Sequence, residues 1–218
     1  MTTHMHAPVD GIRAVAAIRR SQALLVAISG IDGSGKSTLA RRLGARLQGA
    51  GLRVACIGVD PWQNPQSVRL GGPDPGVHFY RHAVRFDAML EQLVLPLVRT
   101  RRVDLHVAGM RTDRDLVEPI HYCYADVDVV LLEGIFLLQP RFDDFYDLRL
   151  WVECSFDTAL RRALQRNAEG KTQDALREDY ATIYHAAQRH HLAVDDPRGR
   201  ADFTVNNDRD ACRSGTVS

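Results

Sequence analysis

The sequence predicts an α/β protein, and three observations carry that expectation. Apolar runs of strand length alternate with segments whose apolar residues recur at helical spacing. A glycine-rich loop, Gly30-Ile31-Asp32-Gly33-Ser34-Gly35-Lys36-Ser37-Thr38, joins the first such run to the first such helix. No apolar stretch approaches the roughly 20 residues that a bilayer-spanning helix needs. The 218 residues suit a single domain, and 45% hydrophobic with 25% charged residues is an ordinary globular composition. A formal net charge of +1 argues against a strongly basic nucleic-acid platform.

The elements follow in order. Residues 1–8 lack the apolar core of a signal peptide, and Ile12, Val15 and Ile18 with two adjacent arginines over residues 10–20 read as a short amphipathic helix packing beside the first strand, with a targeting helix as the alternative. Residues 24–29 (LLVAIS) read as a buried strand. Leu39, Leu43 and Leu47 place a helix after the loop, ending near Gly49 or Gly51. Residues 53–59 (RVACIGV) form a second strand that ends at Asp60. Four prolines and three glycines between 61 and 78 predict a long loop of the kind that carries function. A helix is expected over about 81–100, with Phe86, Leu90, Leu93 and Leu97 on one face and Pro96 kinking or ending it. Short strands are expected at 105–108 and 117–121, and longer ones at 127–132 and 147–153. Helices follow at 156–168 and 174–192, then a last strand at 201–205 and a frayed tail from Asp208. Cys56, Cys123, Cys154 and Cys212 form no C-x-x-C pair and read as reduced, buried thiols of a cytoplasmic protein.

The loop is a complete P-loop, G-x-x-x-x-G-K-S, set between strand and helix as its mechanism requires. Its backbone N–H groups turn inward around phosphate oxygens, and the following helix adds its positive end. Gly30, Asp32, Gly33, Ser34, Gly35, Lys36, Ser37 and Thr38 are therefore the expected nucleotide-binding residues. Lys36 reaches the β- and γ-phosphates and Ser37 takes a place on Mg²⁺. Lys36 is one of only two lysines in an arginine-rich chain, the other being Lys171. A slim ammonium, not a guanidinium fork, suits the crowded loop.

Asp60 sits where ligands bind in open α/β sheets, outside the carboxyl end of a strand. It reads either as a base for a substrate hydroxyl or as a turn residue before Pro61. Glu133 ends an apolar strand and is the expected Mg²⁺ residue beside Ser37, with Asp128 a weaker candidate. Arg162 and Arg166, four apart, share a helix face close to Arg161, Gly170 and Lys171. They read as a lid whose guanidinium groups stabilise a transferring phosphoryl group, or as a solvated face. His78-Phe79-Tyr80-Arg81-His82 reads as a patch that stacks on a base or sugar, or as an aromatic helix cap. The remaining histidines, His190 and His191 among them, read as surface residues.

Together these segments resemble the uridine kinase-like family of P-loop kinases, which includes relatives of phosphoribulokinase and pantothenate kinase. The resemblance runs from about residue 20 to 208. It rests on the P-loop, Val59-Asp60-Pro61-Trp62, Leu131-Leu132-Glu133-Gly134-Ile135-Phe136, Leu160-Arg161-Arg162-Ala163-Leu164-Gln165-Arg166 and Arg200-Ala201-Asp202-Phe203-Thr204-Val205. It implies a P-loop NTPase three-layer sandwich, with a five-stranded parallel sheet in the order 2-3-1-4-5 and a helical lid at about 161–175. Residues 1–218 would form one kinase domain with flexible ends at 1–9 and 209–218. ATP or GTP with Mg²⁺ would be the cofactors. Asp60, Lys36, Arg162 and Arg166 would be catalytic, Ser37 and Glu133 would hold the metal, and Trp62, His78, Tyr80 and Arg81 would face the substrate.

Three departures bear on that substrate. Pro61-Trp62-Gln63 stands where family nucleoside kinases carry an aromatic pair. Arg81 stands where uridine kinases carry a ribose-binding acid, and Arg166-Asn167 replaces the usual Arg-Asp. The expected activity is phosphoryl transfer to a hydroxyl of a small metabolite, a uridine- or cytidine-type nucleoside first. A pantothenate-like alcohol, a sugar phosphate or a nucleoside monophosphate comes second. A nucleotide-dependent switch is the other class, and a GTPase's N-K-x-D segment does not occur. No nucleic-acid or membrane partner is expected, and a homo-oligomer is left open.

Overall fold

The computed structural model describes residues 6–18, 21–166 and 170–208. Its core is a parallel sheet of β1 (Leu24–Gly30), β2 (Val54–Gly58), β5 (Val129–Gly134), β6 (Leu148–Glu153) and β7 (Phe203–Asn206), ordered β2-β5-β1-β6-β7. β3 (Val103–Arg111) and β4 (Leu116–Tyr124) form a separate antiparallel hairpin, which shifts the numbering. Counted among the parallel strands alone, the order is the expected 2-3-1-4-5.

Every residue of β1 is buried, because both sheet faces are covered, as parallel sheets require. Leu24, Val26 and Ile28 point to α1 (His6–Ile18) and α2 (Lys36–Gly49), in a core with Ile12, Leu39, Leu43 and Leu47. Leu25 and Ala27 point the other way, into a larger core with Trp62, Phe79, Phe86, Leu93, Leu97, Phe136 and Trp151. The period-2 alternation of a strand thus divides one apolar run between two layers. α2 ends at Gly49, and Gly51 just beyond it takes a left-handed φ of 87°.

The segment from 60 to 100 is more ordered than its prolines and glycines predict. Asp60–Trp62 is a 3₁₀ turn, followed by α3 (Gln66–Arg69) and α4 (Pro75–His82). Asp74 caps α4, its carboxylate accepting from Val77 N at 2.9 Å, with Pro75 at the first helical position. The expected single helix over 81–100 is broken. Val84 leaves helical geometry to bridge with Gln63, and the chain resumes as α5 (Phe86–Met89), a π turn at Leu90–Val94 and α6 (Leu95–Thr100). The π turn sits just ahead of Pro96, whose missing N–H and ring disturb the ladder there.

The hairpin strands are nine residues each, longer than expected. Val103, Leu105, Val107, Tyr122 and Tyr124 pack on the larger core, so the ribbon has one buried and one solvated face. α7 (Phe156–Arg166), α8 (Gln173–Asp179), a π turn (Tyr180–Tyr184) and α9 (His185–Asp195) complete the fold. Asp208 is not frayed: its carboxylate accepts from Ser155 N at 2.9 Å and from the Thr158 hydroxyl at 2.7 Å, capping α7.

Two further expectations need correcting. Cys154 is buried but Cys56 and Cys123 are exposed, because β2 and the hairpin lie at edges; Cys212 lies outside the described residues. His185 and His191 are buried, not on the surface. His191 Nδ1 lies 2.7 Å from a carboxylate oxygen of Asp195, four residues on and also buried. Among the described residues no helix is long and apolar enough to cross a membrane.

Candidate active site

The carboxyl ends of β1, β2 and β5 open on one crevice, and a cavity of about 600 Å³ lies there. β1 runs into the P-loop, where Gly33 and Gly35 take left-handed φ values of 76° and 94°. A Cβ on Gly33 would meet the Ala159 carbonyl oxygen at 2.6 Å, so α7 packs directly on the loop. Asn207, just past β7, donates to the Ser34 carbonyl at 2.6 Å. The buried Ser34 hydroxyl finds no partner among the described residues.

Glu133 pairs in register with Ile28 of β1 on one side and Gly58 of β2 on the other. That central position brings its carboxylate to the start of α2, where the Ser37 hydroxyl donates to it at 3.1 Å. Burial pushes the Glu133 carboxyl above its usual range; Asp60 and Asp32 push the same way, while Lys36 and the Ser37 hydroxyl pull back. A hydroxyl and a desolvated carboxylate this close are the hard oxygen ligands that Mg²⁺ takes, so the pair fits the ion. The left-handed glycines of the loop likewise fit phosphate.

The two arginines expected on a lid reach the loop from α7. Arg162 donates to the carbonyls of Gly33 at 3.2 Å, Ser34 at 3.4 Å and Asn207 at 2.8 Å. Arg166 pairs with Asp32 at 3.2 Å, and the Tyr180 hydroxyl donates to the same carboxylate. Burial pushes Asp32 up, but Lys36, Arg166 and Tyr180 outweigh it and hold the carboxyl below its usual range. Lys36 itself is 8% exposed, with its ammonium 3.4 Å from the Ile31 carbonyl. Arg161 turns away, toward a groove between α7 and α8. Residues 167–169, inside the expected lid, lie outside the described residues.

Asp60 lines the same cavity as this cluster. Its carboxylate accepts from the Gln63 amide at 3.0 Å, and the Gln63 oxygen accepts from Arg69 at 2.5 Å. Arg69 is 3% exposed; its other partner is Asp115 at 4.0 Å, and its Nε has none among the described residues. Phe79, Tyr184 and Gln188 line the same side, and Thr112 and Asp113 at the hairpin tip close it. The buried Gln188 Oε1 is also unpaired among the described residues.

Asp32, Gly33, Gly35, Lys36, Ser37, Thr38, Asp60, Arg162 and Arg166 thus line one cavity. Gly30 and Ser34 shape the loop behind it, where a Cβ on Gly30 would meet the Ser34 hydroxyl at 2.7 Å. The four expected substrate contacts are placed elsewhere. Trp62 is 2% exposed in the core, stacked on Tyr122. Tyr80 points away to donate to Asp195 at 2.5 Å. His78 packs against the Val68 carbonyl at 2.9 Å, and Arg81 is exposed on α4. For the three in α4 helical phase is the reason, since Phe79 faces the cavity, while Trp62 ends the 3₁₀ turn and packs into the core. Gln63, Arg69, Tyr184 and Gln188 escaped sequence reasoning because none belongs to a motif.

A family model described as methylmalonyl Co-A mutase-associated GTPase MeaB matches residues 6–73, the stretch holding α1, the P-loop and β2. The uridine kinase of Alkaliphilus metalliredigens is 26% identical over 186 residues, covering 81% of this chain and 83% of that protein. A structure described as a possible uridine kinase from Bacillus stearothermophilus superposes with a TM-score of 0.69 at 20% identity, covering 92% of this chain and 98% of its own. D-glycerate 3-kinase from Cryptococcus neoformans superposes at 0.63 and 15%, covering 94% and 96%. The likeness to kinases covers 81% of this chain in sequence and 92% in structure, whereas the GTPase match ends at residue 73, before the hairpin and α7. The fold and its relatives make this chain a small-molecule kinase of the P-loop class. Within that class it is most similar, among these relatives, to uridine kinases.

Proposed function

We propose that the protein transfers the γ-phosphoryl group of ATP or GTP to a hydroxyl of a small metabolite, and that Asp60 takes the hydroxyl proton. The observation that carries this reading is a carboxylate that lines the same cavity as the P-loop and is held by a hydrogen bond from Gln63. The nucleotide supplies the phosphoryl group; Ser37 and Glu133 would hold Mg²⁺, which would supply charge to neutralise its oxygens. The acceptor oxygen bonds to phosphorus, the bond to the β-phosphate oxygen breaks, and the proton passes to an Asp60 oxygen. Lys36, Arg162 and Arg166 offset the charge that spreads over the moving group. α7 and the π turn behind it exclude water from that side.

A uridine- or cytidine-type nucleoside is the first acceptor in this reading. Phe79 and Tyr184 offer an aromatic wall, the unpaired Gln188 oxygen offers an acceptor for a base N–H, and the curated relative carries the uridine kinase name. Arg69 favours a second reading, an acceptor bearing a carboxylate or phosphate. A buried guanidinium with one firm hydrogen bond is under-compensated, and an anion would complete it. Matched acceptors separate the two: uridine against uridine monophosphate, panthenol against pantothenate, glycerol against glycerate, each assayed for ADP release. Preference for uridine supports the first reading and preference for an anionic member the second. If none is phosphorylated while a protein partner stimulates hydrolysis, the kinase mechanism gives way to a switch.

A further inference from the structure

The solvated face of the hairpin carries four potential metal ligands in two cross-strand pairs. His106 lies opposite His121, and Asp104 opposite Cys123. Residues two apart on a strand share a face, so all four project together from the ribbon. The imidazoles stack with centroids 4.0 Å apart and planes within 6°. His121 Nε2 lies 2.7 Å from an Asp104 carboxylate oxygen. Ligand atoms of Asp104, His121 and Cys123 all lie within 4.8 Å of one another.

Ordinary surface chemistry explains this cluster poorly. An exposed His–Asp pair contributes little to stability, and it leaves the cysteine without a reason. Free cysteine is among the most buried residue types, yet Cys123 is exposed between a carboxylate and an imidazole. Nor does the phosphoryl-transfer site use any of the four. They lie about 20 Å along the ribbon from its tip at Thr112 and Asp113.

We propose that Asp104, His121 and Cys123, with His106 as the fourth ligand, form a binding site for a zinc-type divalent cation. The donor set selects the ion. Thiolate and imidazole favour a borderline-soft metal in tetrahedral geometry, whereas Mg²⁺ takes oxygen. Metal–ligand bonds of about 2.0–2.3 Å require the ligand atoms of Asp104, His121 and Cys123 to close by roughly 1 Å, and His106, stacked on His121 outside that group, to swing in; all four side chains are exposed. The Cys123 thiol gives its proton to solvent as the metal–sulfur bond forms, and the histidines bind as neutral rings, so affinity falls with falling pH. No electron is exchanged.

The consequence is mechanical. A two-stranded ribbon is marginally stable by itself, and this one forms a wall of the cavity. β3 lies against the turn that carries Asp60: a Cβ on Gly109 would meet Pro61 at 3.5 Å. A metal bridging the base of β3 and β4 ties down that wall and raises thermal stability by mass action.

The test is Co²⁺ titration of the full-length, EDTA-stripped protein, followed by absorption. One equivalent is expected to give a thiolate-to-cobalt charge-transfer band and intense tetrahedral d–d bands, both removed by Zn²⁺ and untouched by Mg²⁺. Cys123→Ser abolishes the charge-transfer band and Cys56→Ser keeps it. His121→Ala and His106→Ala each weaken Zn²⁺ binding at least about tenfold by calorimetry. Zn²⁺ raises the Tm of wild type and not of Cys123→Ser, which is expected to fold as wild type because its side chain is exposed. Absence of the band, a band that survives Cys123→Ser, or an octahedral spectrum from the oxygen ligands Ser37 and Glu133 alone overturns the proposal.

Discussion

The two halves of the cavity are built by opposite means. The nucleotide half is local: nine consecutive residues, 30 to 38, supply the loop, and one strand end and one helix complete it. Its polar groups are largely paired, Arg162 to three backbone carbonyls and Asp32 to Arg166 and Tyr180. The acceptor half gathers Asp60, Gln63, Arg69, Phe79, the hairpin tip and Gln188 from segments over a hundred residues apart. It leaves Arg69 Nε and Gln188 Oε1 without partners among the described residues. The difference teaches where function is general and where it is particular. A triphosphate is the same ligand in every P-loop protein and is met by backbone geometry. An acceptor is individual and is met by side chains whose hydrogen bonds it completes.

The largest expected effect lies in the nucleotide half. Lys36→Ala removes a charge that counts for more in the transition state than in the ground state. Turnover should fall more than about a hundredfold, some 2.7 kcal/mol of barrier. A variant with a tenth of wild-type kcat would remove Lys36 from the mechanism. In the acceptor half, Arg69→Met should raise KM for an anionic acceptor by at least about tenfold and leave the KM for ATP unchanged. Equal losses for uridine and uridine monophosphate would mean that Arg69 only supports Gln63. Arg69→Lys checks folding, since it keeps the buried charge.

Glu133→Gln comes next. The amide keeps the shape and loses the charge that favours a hard cation, so half-maximal rate should need several-fold more Mg²⁺. An unchanged requirement would make Glu133 a structural strand end.

The smallest effect is on stability. Burial holds His185 down to about 4, helped by Arg189 and opposed by Asp32 and Asp157. Between pH 6.5 and 4 the unfolded chain takes up a proton that the folded chain refuses. The folded state therefore loses stability as pH falls through that window. In His185→Leu the fall in Tm from pH 7 to pH 4.5 should be smaller than in wild type. Parallel curves for the two proteins would show that His185 titrates normally.

How much of this was legible in the sequence follows the same division. The placement of the P-loop, Asp60, Glu133, Arg162 and Arg166 around one crevice was readable because each is fixed by a motif or by a strand end. The acceptor side was not. Trp62, His78, Tyr80 and Arg81 are polar or aromatic and close to Asp60 in sequence, but Trp62 packs into the core from the 3₁₀ turn and helical phase in α4 turns Phe79 inward in place of the other three. The signal that could have set that phase was Asp74-Pro75, an N-cap followed by a first-turn proline, hidden in a segment rich enough in glycine to read as loop. The hairpin ladder was out of reach, because cross-strand partners such as His106 and His121 share no local pattern.

The central claim is that the two halves act on each other through Asp60, and Asp60→Asn tests it most directly. The amide is nearly isosteric and cannot accept the proton. ATP affinity by calorimetry should stay within about twofold of wild type, while phosphoryl transfer to the acceptor falls at least about a hundredfold, the usual scale of a lost general base. Normal ATP binding with undiminished transfer would contradict the account, leaving Asp60 a turn residue and the two halves unconnected.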